Sequence, residues 1–213
     1  MAGSTRLILI RHGETVWNLE GRYQGHLDSP LTPRGRAQAR AAGRRLRHVP
    51  FDHLYSSDLG RSVETALAIS RLTGHAVKPD ARLRERNFGV FHGLTLAAIQ
   101  TNRPGEYADS MRGGVHYVIP EGESLLQLHQ RVVACMEELA TRHAEQVVVV
   151  VGHGGSLSAM IKHALRLPPD PVRPFRVYNA ALNVVQRDGD RWLLESLGDA
   201  AHLQNLEAAD SVE

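Results

Sequence analysis

Two histidines stand in the same local setting at opposite ends of the chain. His12 lies in Arg11-His12-Gly13, directly after the apolar run Leu7-Ile8-Leu9-Ile10, and His153 lies in Gly152-His153-Gly154-Gly155, directly after Val147 to Val151. A short apolar run that ends in a glycine turn reads as a buried strand opening into a loop. In open α/β sheets that carboxyl end is where ligands bind. An arginine, a histidine and a permissive glycine placed there suit an oxyanion such as phosphate. Phosphoryl transfer through a histidine needs a neutral imidazole with one nitrogen held as donor and the other facing phosphorus. It also needs cations on the non-bridging oxygens, best supplied by guanidinium, and an acid that protonates the leaving alkoxide and then activates water. His12 offers the nucleophile, Arg11 sits beside it, and His153 is a further donor. Arg61, after Ser56-Ser57-Asp58-Leu59-Gly60, falls in the first turn of a helix just past a strand end, and Glu85, in Leu83-Arg84-Glu85-Arg86-Asn87-Phe88-Gly89, is the best acid candidate. The rival reading of Arg61 is a cap or an ion pair with Glu64, and that of Glu85, a loop glutamate between Arg84 and Arg86, is a plain ion pair.

The elements that must position these residues follow a βαβ alternation. Strands are expected at Arg6 to Ile10, His53 to Tyr55, Ala76 to Lys78, Val147 to Val151, Ala181 to Gln186 and Trp192 to Leu197. Thr32-Pro33 supplies an N-cap and a first-turn proline for a helix running to about His48. A second helix spans Asp58 to Leu72 and ends at Gly74. The longest pattern, Glu123 to His143, carries Leu125, Leu128, Val132, Met136 and Leu139 on one face. Another helix covers Ser156 to Leu165, before Pro168-Pro169. Arg187-Asp188-Gly189-Asp190 reads as a hairpin turn joining the last two strands. Residues 85–122, rich in Gly, Arg, His and Asn, read as an insertion over the carboxyl edge of the sheet, with a short helix from Leu94 to Gln100 capped near Thr95. His92, Arg112, His116 and Tyr23 are open candidates there for substrate contacts. Asn179 to Asn183 read first as packing, with an amide donor toward the pocket as the alternative. The tail from Asn205 is polar and expected to fray.

Composition narrows the classes. The chain has 213 residues, 42% hydrophobic and 23% charged, with a net charge of +2, which fits one globular domain over 1–213 carrying the insertion. The single cysteine, Cys135, removes intrachain disulfides and cysteine metal clusters and reads as a small core residue. The twelve histidines lack metal-ligand spacing, and His26, His48, His53, His75, His129, His143, His163 and His202 read as surface or satisfied side chains. The arginines from Arg34 to Arg47 have no interleaved aromatics and read as a solvated helix face rather than a nucleic-acid site. No signal-like start or membrane-length apolar run occurs, so a cytoplasmic protein with no membrane partner is expected.

The motifs Arg11 to Thr15, Trp17-Asn18, Gly21 to Gly25 and Leu31 to Gly35, followed by Ser56 to Leu59 with Arg61, Thr65-Ala66, Leu83 to Glu85 with Gly89, Gly122 to Ser124 and Gly152 to Gly154, resemble the histidine phosphatase superfamily, which includes the cofactor-dependent phosphoglycerate mutases. The resemblance covers nearly the whole chain in order. It implies a three-layer α/β/α sandwich with a mostly parallel central sheet and a phosphohistidine intermediate. By position it implies His12 as nucleophile, Arg11, Arg61 and His153 as the phosphate pocket, Glu85 as proton donor, and Asn18 and Gln24 as substrate or phosphate contacts. Glu14 is expected to be structural. The resemblance implies no metal and no other cofactor, a small phosphorylated metabolite as partner, and a homo-oligomer as one of several states. The short chain and the segment Gly21 to Asp28 resemble the phosphatase branch, which includes broad-specificity and ribazole-phosphate enzymes. A phosphoglycerate mutase is the alternative, and a non-catalytic phosphate-binding module a third reading. His92-Gly93 departs from a glutamate-glycine pair common in the family.

Overall fold

The computed structural model describes residues 4–204 and Leu206, so the tail expected to fray lies, Leu206 apart, outside the described residues. Six strands form one sheet: β1 (Thr5–Arg11), β2 (His53–Ser56), β3 (Val77–Pro79), β4 (Val147–Gly152), β5 (Leu182–Asp188) and β6 (Arg191–Asp199). Their order is β3-β2-β4-β1-β5-β6. The four strands from β3 to β1 are parallel, and β5 runs against both of its neighbours. The helices are α1 (Val16–Leu19), α2 (Pro33–Leu46), α3 (Gly60–Thr73), α4 (Leu96–Asn102), α5 (Pro104–Gly113), α6 (Leu125–Arg142) and α7 (Gly154–Ala164).

Strand alternation explains the three layers. Ile8, Ile10, Val149 and Val151 point to one face, where they pack with Ala42 and Leu46 of α2 and Ala66 and Ile69 of α3. Leu7, Leu9, Val148 and Val150 point to the other, against Leu128, Val132 and Met136 of α6 and Leu157 and Met160 of α7. Both sets are buried, so β1 and β4 read as continuous apolar runs, as a sheet covered on both sides requires. The chain leaves β1 through α2 on one face and leaves β4 through α7 on the other. The carboxyl ends of these adjacent strands therefore part, and the crevice between them is the place where such sheets bind ligands.

Local signals set most boundaries. Thr32 caps α2 by accepting from Gly35 N–H, with Pro33 in the first turn, and Gly74 ends α3 in the left-handed conformation (φ +78°). Ser124 and Gln127 form a capping box at the start of α6. The hairpin is tighter than expected: Arg187 and Asp188 belong to the ladder, opposite Trp192 and Arg191, and Gly189 (φ +57°) heads a two-residue turn. Two elements depart further from the sequence reading. Segment 85–122 holds a second helix, α5, whose Pro104 at the helix start reads as a breaker until its position is known. Helix α7 begins at Gly154, two residues before the expected start, so the glycine pair is helical rather than a free turn. Phe91, Ile99 and Ile119 give segment 85–122 a small core of its own, to which Tyr23 and Phe88 add. Cys135 is fully buried on α6, and burial pushes its thiol up to about 12.

Candidate active site

Arg11 and Gly152 lie side by side in the register of β1 and β4, so the next residue of each strand, His12 and His153, emerges at the same point. The two rings stand 5.2 Å apart, tilted by 58°. His12 is 3% exposed and its Nδ1 lies 2.7 Å from the carbonyl oxygen of Gly13. A carbonyl only accepts, so Nδ1 carries the proton. Burial, reinforced by the charges of Arg61 and Arg11, pulls the His12 pKa well below its ordinary value. The ring is therefore neutral at pH 7, with an available lone pair on Nε2. Two amides and a hydroxyl hold this geometry. Asn179 Nδ2 donates to the His12 carbonyl (2.8 Å), and Gly13 N–H donates to Thr65 Oγ1 (3.0 Å). A side chain at Gly13 would overlap the Gly35 carbonyl, so only glycine fits there.

Around His12 the cleft, about 320 Å³, is lined by Arg11, Asn18, Tyr23, Gln24, Arg61, Glu85, Phe88, Gly154 and Arg173 among others. Arg61, 2% exposed, enters from the first turn of α3. Its guanidinium donates to the carbonyls of Gly25 (2.7 Å) and Leu27 (2.8 Å) and to Asp28 Oδ1 (2.9 Å), which fastens the loop carrying Gln24. The expected rival pairing with Glu64 does not form; Glu64 faces Arg36 instead. Arg11 donates to the Val177 carbonyl (3.0 Å). His153 Nε2 meets Ser62 Oγ at 3.2 Å, and burial, then Arg61 and His12, hold its pKa well below the ordinary value. Arg11 Nε, Arg61 Nε, His153 Nδ1 and Gln24 Oε1 are all buried without a partner among the described residues. Buried polar atoms are nearly always hydrogen-bonded. The two arginine Nε–H groups left free beside one neutral histidine suit a small anion, and the Gln24 amide joins them once its nitrogen is turned inward. Asn18 reaches the cleft wall, but its Oδ1 serves the cap of α1 through Thr15 N–H.

Glu85 closes the same cleft. Its Oε2 accepts from Gly155 N–H (2.8 Å), a free donor of the first turn of α7, and its Oε1 from Arg86 N–H (2.8 Å). The plain ion pair with Arg84 does not form, because Arg84 binds Asp58. The Glu85 backbone is held from two sides: His26 Nε2 and Arg131 Nη2 both donate to its carbonyl, at 2.9 and 3.3 Å. Arg131 also donates to the carbonyls of Arg82 and Arg84 and pairs with Glu123.

The structure thus brings together all seven residues singled out from sequence, His12, Glu85, Arg11, Arg61, His153, Asn18 and Gln24. Glu14 accepts from Thr32 Oγ1 (2.9 Å), a structural contact. Of the open candidates, Tyr23 lines the cleft, edge-on to Phe88 at 4.8 Å. His92 faces inward to its own segment, its Nε2 accepting from the backbone N–H groups of His26 and Phe88. Arg112 pairs with Asp109, and neither it nor His116 lines the cleft. Sequence reasoning missed Arg173, Arg131 and the part played by Thr65. Arg173 follows the expected end of α7 by several residues in an irregular stretch, and nothing local marks it as facing Arg11.

A doubly covered α/β sheet with a neutral histidine and two guanidinium groups whose Nε–H stay free at its switch point has the features of a phosphate-handling α/β protein. The sequence profile of the histidine phosphatase superfamily (branch 1) matches residues 7–200, and the chain belongs to that superfamily. It is 35% identical over 213 residues to the probable phosphoglycerate mutase GpmB of Yersinia enterocolitica, covering 98% of this chain and 99% of that one. Among solved structures it resembles a putative alpha-ribazole-5'-P phosphatase from Escherichia coli (29% identity, TM-score 0.85, 92% of this chain and 96% of that one). It also resembles the mycobacterial glucosyl-3-phosphoglycerate phosphatase in complex with VO3 (32% identity, TM-score 0.79, 92% and 99%). Members of the superfamily are phosphatases or mutases.

Proposed function

We propose that the protein is a metal-independent phosphomonoesterase that hydrolyses a small phosphorylated metabolite through a phosphohistidine on His12. The observation that carries this reading is the His12 ring held neutral, with Nδ1–H on the Gly13 carbonyl, beside two buried arginine Nε–H donors without a partner among the described residues. His12 Nε2 attacks phosphorus in line, and the P–O bond to the leaving alcohol breaks. Arg11 Nε–H and Arg61 Nε–H receive the non-bridging oxygens. With Ser62 Oγ–H donating to His153 Nε2, His153 Nδ1–H is a third donor. Turning the Gln24 amide end over makes its nitrogen a fourth. Donors already fixed in place stabilise the developing charge without reorganising as it forms. Glu85 gives its proton to the leaving oxygen, then takes one from the water that attacks phospho-His12, releasing phosphate and restoring the enzyme. Asn18 aids substrate contact at the cleft wall.

A phosphoglycerate mutase is the second reading, favoured by the name of the 35%-identical relative. It would use the same His12 but return the phosphoryl group to a phosphoglycerate. One experiment separates the two. Purified protein is assayed for phosphate release from a panel of phosphate esters in EDTA, with 3-phosphoglycerate plus 2,3-bisphosphoglycerate as one arm. Release that resists EDTA supports the phosphatase. Interconversion of 3- and 2-phosphoglycerate without release overturns it in favour of the mutase, and no turnover on any arm leaves a phosphate-binding module.

A further inference from the structure

The leaving group must lie on the Glu85 side of phosphorus, because Glu85 protonates the bridging oxygen in the reading above, on which this inference rests. A second chamber of about 240 Å³ opens there and shares Glu85, Tyr23, Phe88 and Arg173 with the cleft around His12. Its walls are largely apolar: Phe88, Leu125, Leu128, Ala159, Pro169 and Pro171. Five charged side chains also line it, and four are already committed. Glu85 accepts two backbone N–H groups. Arg86 donates to the Glu123 and Tyr117 carbonyls. Lys162 and Asp170 pair with one another at 3.0 Å.

Arg173 is the fifth. Among the described residues it has no hydrogen bond or ion pair; it shares the cavity walls with Glu85 and with Arg11, whose pKa burial lowers, Glu85 raises and Arg173 lowers in turn. The two guanidinium groups at the cavity mouth repel, Glu85 offsets part of that cost, and a further anion beside Arg173 offsets more. The strap that carries Arg173 is built to hold it. Lys162, 4% exposed on α7, gives its ammonium to the Asp170 carbonyl (2.6 Å), Asp170 Oδ1 (3.0 Å) and the Val172 carbonyl (2.5 Å). All three ammonium protons are used on this strap, which also contains Pro168, Pro169, Pro171 and Pro174. Proline limits the backbone states open to the strap, and the buried ammonium fixes Asp170 and Val172 on the approach to Arg173.

We propose that Arg173 is a specificity residue that reads a second negative charge on the leaving group, so that the preferred substrates are phosphate esters of compact alcohols carrying an anionic substituent. Arg11 and Arg61 serve the phosphoryl group, and Arg173 serves the leaving portion in the chamber behind Glu85. A solvent-facing cation distinguishes acidic from neutral alcohols by charge, and its bidentate fork suits a carboxylate.

The test uses esters matched in leaving-group chemistry: 4-carboxyphenyl phosphate against 4-carbamoylphenyl phosphate, and O-phosphoserine carrying a free or an amidated carboxyl group. kcat/KM is measured for the wild type, Arg173→Ala and Arg173→Lys. The wild type is expected to favour the carboxylated member of each pair by about tenfold or more, equivalent to one charged hydrogen bond. Arg173→Ala is expected to erase that preference while holding the neutral esters within about threefold, and Arg173→Lys to keep an intermediate preference. The inference is overturned by a wild type without a carboxylate preference, by equal losses on both members of a pair, or by a lysine that behaves as alanine. Those outcomes need turnover by the wild type; absence of turnover on every ester overturns the hydrolase reading itself.

Discussion

In the proposed reaction His12 is a poor base in its resting state and a nucleophile at one atom. The Gly13 carbonyl fixes its tautomer, and burial beside two guanidinium groups keeps it neutral. In the proposed reaction, His12→Ala removes both turnover and the covalent phosphate trapped by acid quench, with a loss in kcat of roughly 10³-fold or more; trapping that survives the substitution would move the nucleophile elsewhere. Glu85 has a separable role. Glu85→Gln should slow alkyl phosphates by roughly 10²–10⁴-fold, the range for a lost general acid. Aryl esters, whose phenolates leave without help, should lose much less. Equal losses on the two ester types would count against Glu85 as the acid. At this scale local pattern places His12 at a strand end and Glu85 in a loop, and the structure finds both lining one cleft.

At the scale of elements, the site is the meeting of two parallel strands and two helix starts. The carboxyl ends of β1 and β4 bring His12 and His153 together, the first turn of α3 supplies Arg61, and the first turn of α7 holds the Glu85 carboxylate by Gly155 N–H. A helix start with free N–H groups is a natural seat for a carboxylate. Helix α7 begins earlier than its sequence suggests, and two contacts meet its start: Ser156 Oγ accepts from His153 N–H and Glu85 Oε2 from Gly155 N–H. A Cβ at Gly155 would overlap Glu85 Oε1, and the far end of that side chain can swing aside. Gly155→Ala is therefore expected to cut alkyl-ester kcat by roughly 10²-fold while leaving the melting temperature within about 2 °C. A collapse in melting temperature instead would mean that Gly155 serves packing and not the acid.

For the whole molecule, the buried histidines make stability depend on pH. The pKa values of His12 and His153 are depressed in the folded state, so the unfolded chain binds more protons. Stability is then fully present above the unfolded value near pH 6.5 and falls as pH drops below it. Each such histidine contributes a slope of at most about 1.4 kcal/mol per pH unit. Denaturant unfolding between pH 8 and 5 should show this loss, and a His12→Gln, His153→Gln variant should show a shallower slope. An unchanged slope would assign the effect to the other histidines whose pKa burial lowers, His26, His92, His129, His143 and His202. What the sequence determined by itself was local and periodic. The two apolar strands, the Thr32 and Ser124 caps, the Gly74 stop and the His12, Arg61, Glu85 and His153 positions all follow from neighbours a few residues away. Only the tertiary structure decided which side chains remain unpartnered, because that depends on contacts across the chain. Arg61 turns from Glu64 to Asp28, Arg84 to Asp58, and Lys162 to the strap, and the cations left over, Arg11 Nε, Arg61 Nε and Arg173, all face one cleft.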